Sequence, residues 1–526
     1  MHFAGLLRPP TRVDAQGDGS WTTLTPASAG IFGGEGVEVT SDHGRIAVRS
    51  RGPLRHLRLR WSMPAPSGWR YLGDAWERGY GDLEWRGLAG ERPMPWYVLA
   101  HDGHDCHGFG VATGAAAFAA WHVDDAGVTL ALDCRCGGEG VRLDGRRIDL
   151  VRIVVHDGSG QDEHASARSF CAALCPQPLL PDHVVYGVND WYYAYGINSR
   201  AGLIRDAGLL AGWTAGLDPR PYLVIDDGWA ARAADADTLY SLVAPKAAYG
   251  DLGDLARSLR GEGVRPGLWI RPLQIPEGVD HPALLRAPHG DRILDPSRDE
   301  TLALVDGQVR HLAATCGYDL LKHDFTTFDC LGRWGFQMGP SVTADGWAFA
   351  DRSRTTAEIL RRLYRCIRQA AGSTLILGCN TVGHLAAGLE QLQRTGDDTS
   401  GRFWERTRKM GPNTLAMRMP QQGTFFVADA DCVGLTTAIP WANNRAWLEA
   451  VAASGTALFV SPQPEAVGPE QAAALKQAFA RAASAPTPAV ALDWRDTTAP
   501  NRWRTATGEC TWTWADAAGA LGVCPP

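Results

Sequence analysis

The sequence predicts an α/β protein: a (β/α)8 TIM barrel with an antiparallel β-sandwich before it and a short β segment after it. Three observations lead there. Residues 1–180 hold short runs of period-two hydrophobicity, broken by clusters of Gly, Asp and Pro. That is the pattern of half-buried antiparallel strands separated by turns. From Pro181 onward, apolar strand-like runs alternate with amphipathic helical stretches. Eight such strands fit a barrel better than a doubly wound open sheet. After Pro486 the runs AVALDW, RWRTA and TWTWA alternate but are too short to fold alone. The expected units are therefore residues 1–180, 181–485 and 486–526, and a 526-residue chain accommodates three.

The elements follow in order. In the first unit, Leu57, Leu59 and Trp61 alternate with Arg58 and Arg60, and SGW, DGH, DDAG and LDGR read as turns. HVVYGVND is the first barrel strand. A helix from Ser199 places Leu203, Ile204, Ala207, Leu210 and Ala211 on one face. PYLVIDDGW and VRPGLWIRP are the next strands. Ser297 and Glu300 have the spacing of a capping box. The helix it would start has the stripe Leu302, Val305, Val309, Leu312 and Ala313, and Gly317 stops it. YDLLKHDF is the fourth strand. A helix over 355–371 buries Ile359, Leu360, Leu363, Cys366, Ile367 and Ala370. TLILGCN, QLQRTG, TFFVAD and ALFVSP complete the set, and Pro469 opens a last helix running to Ala483.

Composition narrows the function. Lys plus Arg total 51 and Asp plus Glu 58, a net charge of −7. Such a surface has no bulk attraction for nucleic acid or anionic lipid. No run of ~18 uncharged apolar residues predicts a membrane span. The start, MHFAGLLRPPTRVD, lacks a basic segment followed by an apolar core. A cytoplasmic protein with reduced thiols is expected. Cys134 and Cys136 continue the alternation of Val128, Leu130 and Leu132, so they are expected on the buried face of one strand rather than on zinc. The loop HDGHDCHG crowds His101, His104, Cys106 and His107. No second ligand pair has suitable spacing, so no metal is expected. No G-x-G-x-x-G follows a strand and no Walker A pattern exists, which leaves nucleotide cofactors without support. The 20 tryptophans suit sugar-stacking surfaces as well as a large β-rich core.

In a barrel, chemistry sits where the strands end. These ends carry Asp226-Asp227-Gly228-Trp229, Trp269 with Arg271, Lys322-His323-Asp324, Cys379-Asn380, Arg394-Thr395-Gly396-Asp397-Asp398 and Asp429-Ala430-Asp431. In the fourth strand Leu320, Lys322 and Asp324 share the inward face, and Leu321 and His323 face the helices. An inward lysine keeps a neighbouring aspartate ionised, and an ionised carboxylate in a confined site can attack carbon. Glycoside hydrolysis needs two carboxyl groups flanking one bond. With Asp324 as nucleophile, Asp397 or Asp398 is the candidate acid, its pKa raised by burial and negative neighbours. Arg394, Asp226 and Asp227 remain for sugar hydroxyls. Trp191, Tyr192 and Trp269 are candidates for the apolar wall.

The run NDWYYAYG, IDDGW, GLWI, LLKHDF, LGCN, RTGDD and DADC, in this order, resembles the melibiase α-galactosidases of glycoside hydrolase family 36, related to family 27. The resemblance covers about residues 183–465. It implies that Asp324 of the K-x-D motif is the nucleophile. It implies that Asp398, four positions after Arg394, is the acid/base. Asp226 and Asp227 then bind the O4 and O6 side of galactose, with Lys322, Trp191 and Trp269 completing the pocket. Cys379 and Arg394 lie near the sugar's 2-position. It further implies a retaining double displacement with no metal and no organic cofactor. The carboxyl groups are then expected about 5–5.5 Å apart. The partner expected is a galactose-containing oligosaccharide or glycoside, and association into a homo-oligomer is compatible with this architecture.

Three departures stand out. Arg271 occupies an inward position where the family has a small residue, and could reshape the leaving-group side or favour an acidic aglycone. A long loop after Asp324 carries Phe328, Trp334, Phe336 and Trp347, and could wall off or extend the subsites. Asp429-Ala430-Asp431 replaces Asp-Pro-Asp. The alternatives are a related specificity (β-L-arabinopyranosidase, α-N-acetylgalactosaminidase or α-galactosyl transferase), a non-catalytic sugar-binding barrel, or a zinc protein using the histidine loop. Cys379 and Arg394 leave little room for an N-acetyl group.

Overall fold

The computed structural model describes residues 3–66, 68–231, 244–275, 281–285 and 292–515. The last part of the expected C-terminal segment lies outside these residues. The N-terminal region contains two large antiparallel sheets. One has six strands, ordered Met94–Pro95, Phe118–Asp124, Gly127–Asp133, His56–Ser62, Arg12–Gln16 and Trp21–Thr23. The other has eight, from Thr25–Ser28 at one edge to Arg70–Gly73 at the other. The predicted alternation appears directly: Leu57, Leu59 and Trp61 are buried, and Leu59 lies opposite Val13 and Leu130 on its two neighbours. One element departs from the β-only expectation. Helix α1, Glu163–Leu174, is capped by Asp162, whose carboxylate accepts from the N–H groups of His164 and Ala165. Cys134 and Cys136 are buried as expected, but they follow the strand, which ends at Asp133.

The second half holds a curled, all-parallel sheet of nine segments. They are β1 (Tyr186–Asn189), β2 (Tyr222–Ile225), β3 (Arg265–Ile270), β4 (Leu320–His323), β5 (Leu375–Gly378), β6 (Leu392–Arg394), β7 (Val427–Asp429), β8 (Val433–Leu435) and β9 (Leu458–Pro462). The spatial order is β7-β6-β5-β4-β3-β2-β1-β9-β8. Consecutive strands are neighbours from β1 to β7, with no switch point, so the order differs from a doubly wound sheet. The two end segments, β7 and β8, are consecutive in the chain, and Asp429 also bridges to Ala457. All eight predicted strands are present, and β8, Val433–Leu435, is a ninth segment outside them.

Longer helices follow most of these strands, but not β5 or β7. They are α2 (Arg200–Trp213), α3 (Leu252–Gly261), α4 (Asp299–Arg310), α5 (Thr356–Ala371), α6 (Trp404–Arg418), α7 (Trp441–Ser454) and α8 (Pro469–Ala483). The Ser199 hydroxyl caps α2 through Gly202 N–H, and Thr355 with Glu358 forms a capping box on α5. The box expected at Ser297 and Glu300 does not form. Helix α4 has Arg298 at its N-cap without a side-chain bond. Ser297 is taken instead by the loop, its hydroxyl accepting from Asp351 N–H at 3.0 Å. The inward and outward faces of the parallel strands fall into two separate apolar clusters. Val185, Tyr222, Val224, Leu320, Leu377, Cys379 and Phe459 share the enclosed one. Leu223, Ile225, Leu321 and Ile376 pack under the helices. Lys322 and Asp324 thus continue the enclosed face from Leu320.

The C-terminal strands Val490–Ala491, Arg502–Thr505 and Gly508–Thr511 form a small antiparallel sheet. Its tryptophans fasten it to both halves. Trp494 stacks on His164 at 4.5 Å and donates to Glu163 at 3.0 Å. The carbonyl of Trp514 accepts from Trp404 Nε1 at 2.8 Å. Every described cysteine is a free thiol, and no described helix is long and apolar enough to cross a membrane.

Candidate active site

The carboxylate candidates gather where the parallel strands end. Asp324 follows β4 and is buried. Its Oδ2 accepts from Trp269 Nε1 at 3.0 Å and its Oδ1 from Phe325 N–H at 2.8 Å. Phe325 adopts φ +65, a left-handed conformation costly for an aromatic residue. The turn brings its N–H back onto the carboxylate. Lys322 donates to Asp226 Oδ2 at 2.7 Å. Burial opposes its charge, but Asp226, Cys379 and Asp324 outweigh burial and hold its pKa well up, so it stays an ammonium. Asn189 also donates to Asp226 Oδ2, at 2.6 Å. Asp227 accepts from Gly228 N–H at 2.7 Å. Gly228 has φ +115, and a Cβ there would lie 2.4 Å from the Gly196 carbonyl, so this turn requires glycine.

Across the mouth, Arg394 at the end of β6 donates to the Gly396 carbonyl at 3.2 Å and binds three side chains. Its guanidinium lies 3.4 Å from Cys379 Sγ, 3.2 Å from Asp398 Oδ1 and 2.9 Å from Asp431 Oδ2. Tyr192 donates its hydroxyl to Asp431. Its polar end is thereby locked, and it packs in the enclosed cluster rather than standing free as a wall. Trp191 is half-buried, 5.5 Å from the Tyr195 ring. Lys322 and Cys379 both feel the charges of Asp324 and Arg394, and Asp398 feels Lys322 and Arg394. Asp324, Trp269, Lys322, Asp226, Cys379, Arg394 and Asp398 thus form one charged network, which Tyr192 joins through Asp431 and Asp227 through its N–H to Asp226 Oδ1 at 2.9 Å, while Trp191 packs on Tyr195 instead.

One expectation is reversed. Burial pushes the Asp398 carboxyl up, but Arg394, Arg78, Lys322 and Arg406 together outweigh it and hold the pKa down at about 2. Asp398 is a carboxylate here, not a proton donor in waiting. Among the described residues, the bonds and ion pairs of its side chain all fall on Oδ1, which leaves Oδ2 clear. Asp397 differs. Both its oxygens are engaged, Oδ1 by Arg78 at 2.9 Å and Oδ2 by Arg406 at 2.7 Å. The geometry separates two adjacent aspartates that the residue types alone did not.

Arg78 is the residue that sequence reasoning missed. It comes from the N-terminal region, some 300 positions from its partners. The chain pairs main chain to main chain there: Gly79 N–H donates to Thr395 O at 2.9 Å, and Asp397 N–H to Gly79 O at 2.8 Å. Buried Arg418 fastens the junction, donating to Asp74 Oδ1, Glu77 O and Thr395 O at 2.7, 2.7 and 3.0 Å. Arg78 consequently reaches 3.7 Å from Asp398 Oδ1 and 3.8 Å from Cys379 Sγ. Glu77 beside it accepts from Gly335 N–H at 2.9 Å and from Asn380 and Tyr80. The only local signal was a charged pair between aromatics in DAWERGY, outside any strand pattern.

The long loop after Asp324 packs against this same segment. Trp334 stacks on Phe328 at 4.6 Å and lies 5.4 Å from the Arg78 guanidinium. Phe336 meets the Tyr80 ring at 5.0 Å and is 60% exposed, while Trp347 is buried. Arg271 is not a free cation awaiting an acidic aglycone. Its guanidinium pairs with buried Asp329 at 2.6 Å and sits 4.3 Å from the Phe325 ring. Arg271→Met strips that partner from a buried carboxylate and is expected to cost about 3–5 kcal/mol of stability. A drop in the denaturant midpoint at unchanged slope checks it.

The histidine loop does not gather His101, His104, Cys106 and His107 into one ligand set. His101 turns to Glu163 at 3.1 Å. The group of potential ligands that does converge is Asp102, Asp105 and His107, within 4.8 Å of one another. Outward-facing His323 is buried and paired with Glu390 at 3.2 Å and Thr326 at 2.6 Å.

The fold is similar to those of solved α-galactosidases, among them members of glycoside hydrolase family 36. TtGalA from Thermus thermophilus, solved with p-nitrophenyl α-D-galactopyranoside, matches with a TM-score of 0.61 at 18% identity, covering 95% of this chain and 98% of that one. AgaA from Geobacillus stearothermophilus matches at 0.58 and 14% identity, covering 90% and 75%. The galactosidase domain of the α-galactosidase–sucrose kinase AgaSK matches at 0.55 and 15%, covering 86% and 67%. No family model and no curated protein matches the sequence.

Proposed function

We propose that this protein is a retaining, exo-acting glycoside hydrolase that removes terminal α-linked galactose. The observation that carries the reading is the inward pair Lys322 and Asp324 facing the Arg394–Asp398 pair around Cys379. In this reading the parallel sheet is a (β/α)8 barrel of residues 181–485, with β7 and β8 two halves of its seventh strand. Residues 1–180 and 486–526 are its flanking units.

The Asp324 carboxylate attacks the anomeric carbon as the bond to the leaving oxygen breaks, and Asp398 gives that oxygen its proton. Asp398, then a carboxylate, takes a proton from water, whose oxygen displaces Asp324 and frees galactose with its α configuration. Trp269 N–H and Phe325 N–H aim Asp324. Asp398 is held as a carboxylate by its cations, so it takes up a proton from solvent as the galactoside binds. The sugar covers Oδ2 and expels the water solvating it, which favours the neutral form. Asp226, Asp227 and Lys322 suit the galactose hydroxyls by charge-assisted bonds. Cys379, crowded by Arg394 and Arg78, disfavours a bulky 2-substituent.

A panel of p-nitrophenyl glycosides tests the reading. Release is expected from the α-galactoside, weakly from the β-L-arabinopyranoside and not from the α-N-acetylgalactosaminide. Preference for the N-acetyl sugar, or release from none, would contradict it. Arg78 supplies a further test. Arg78→Met removes a positive charge from Asp398, which destabilises the carboxylate and raises its pKa. The protonated acid then survives to higher pH. The descending limb of the kcat profile is expected to move up by about one pH unit or more. An unmoved limb would separate Arg78 from the acid.

A further inference from the structure

A second cavity, of about 430 Å³, opens where the eight-stranded sheet meets α5 and the segment after β5. It shares no lining residue with the carboxylate mouth. Three guanidinium groups line it: Arg45, Arg152 and Arg361. Among the described residues, none of the three has an ion pair or a side-chain hydrogen bond. Asp149, the one acid in the lining, is taken by Arg147 at 2.7 Å. Arg45 and Arg152 face each other across adjacent antiparallel strands, and like charges directly opposite are destabilising. Arg361 Nε is buried without a hydrogen-bond partner. Burial and Arg365 push the Arg361 pKa down, and no acid offsets them.

The cavity is shaped around that guanidinium. Gly114 has φ +74, and a Cβ on it would stand 2.6 Å from the Arg361 Cζ. The Arg361 guanidinium therefore packs against the backbone at Gly114. Arg45 and Arg152 are solvent-exposed, so of the three it is Arg361, with its buried unpartnered Nε, that an anion would satisfy. The planar forks of arginine match phosphoryl oxygens. The volume exceeds the needs of a bare ion and falls within the ~300–1,000 Å³ range of small-molecule sites. We propose that this cleft binds a phosphoryl group carried on a sugar-sized molecule, at a site separate from the carboxylate mouth.

The full chain is titrated calorimetrically with glucose 6-phosphate, inorganic phosphate and glucose. Saturable one-to-one binding of glucose 6-phosphate is expected, with none for glucose. Inorganic phosphate is expected to bind more weakly; equal affinity would overturn the sugar-sized ligand. The Arg152→Gln/Arg361→Gln variant is expected to weaken binding at least tenfold, leaving p-nitrophenyl α-galactoside hydrolysis unchanged. Arg45→Gln, a change at an exposed position that spares the fold, is expected to weaken it at least threefold. No saturable binding of either phosphate compound, or equal affinity in the variants, would overturn the site. The titration reads binding alone and is unaffected by whether the carboxylate mouth hydrolyses galactosides.

Discussion

Asp324→Ala is expected to lose hydrolysis of p-nitrophenyl α-galactoside by a factor on the order of 10⁴ or more, because removing the nucleophile removes the covalent route itself. A good leaving group does not rescue this variant, since the missing group is the one that bonds to carbon. The fold should survive. The side chain makes two hydrogen bonds, to Trp269 and Phe325, and its loss relieves the need for the left-handed turn at Phe325. An unchanged melting temperature with near-complete loss of turnover separates loss of chemistry from loss of structure. Wild-type activity in Asp324→Ala would end the assignment of β4 as the strand bearing the nucleophile.

The second large effect is at Asp398, and it depends on the substrate. General acid catalysis contributes roughly 10²–10⁴-fold. Asp398→Ala should lose close to that full factor on galactosides with a sugar leaving group, whose departing oxygen needs a proton. On p-nitrophenyl α-galactoside the first step needs little help, so the deficit moves to attack by water on the glycosyl-enzyme. Azide, which needs no deprotonation, is expected to restore rate and yield a galactosyl azide. Asp397→Ala is the control. With both oxygens engaged by Arg78 and Arg406, Asp397 has none free for a leaving group, and its removal should leave azide without effect. Rescue at Asp397 instead would exchange the two roles.

The parallel sheet was legible because burial writes itself into sequence. The alternation of Leu320, Lys322 and Asp324 against Leu321 and His323 is the alternation of two apolar clusters in space. The same holds for Leu57, Leu59 and Trp61. Local competition was less legible. Ser297 had the spacing of a cap and was claimed by Asp351 instead, a contact 54 positions away that no window of sequence contains. Helix α1 was missed because His164, Ser166, Cys171 and its other inward residues give it only a weak apolar stripe. The site was legible wherever its residues sit on strand ends. It was not legible where a distant segment docks. Glu77 and Arg78 enter through main-chain pairing at Gly79, which leaves no side-chain signature. At Asp398, counting acids predicted an upward shift, and the surrounding cations, Arg394 first and then Arg78, Lys322 and Arg406, turn it downward.

The central claim is that Asp324 bonds to the anomeric carbon. The direct measurement is trapping with a 2-deoxy-2-fluoro α-galactosyl fluoride followed by peptide mapping. One fluorogalactosyl unit is expected per chain, on the peptide containing Lys322-His323-Asp324, with activity returning as the adduct turns over. A label on a peptide lacking Asp324, or inactivation by none of the reagent while galactoside is still cleaved, would contradict the account.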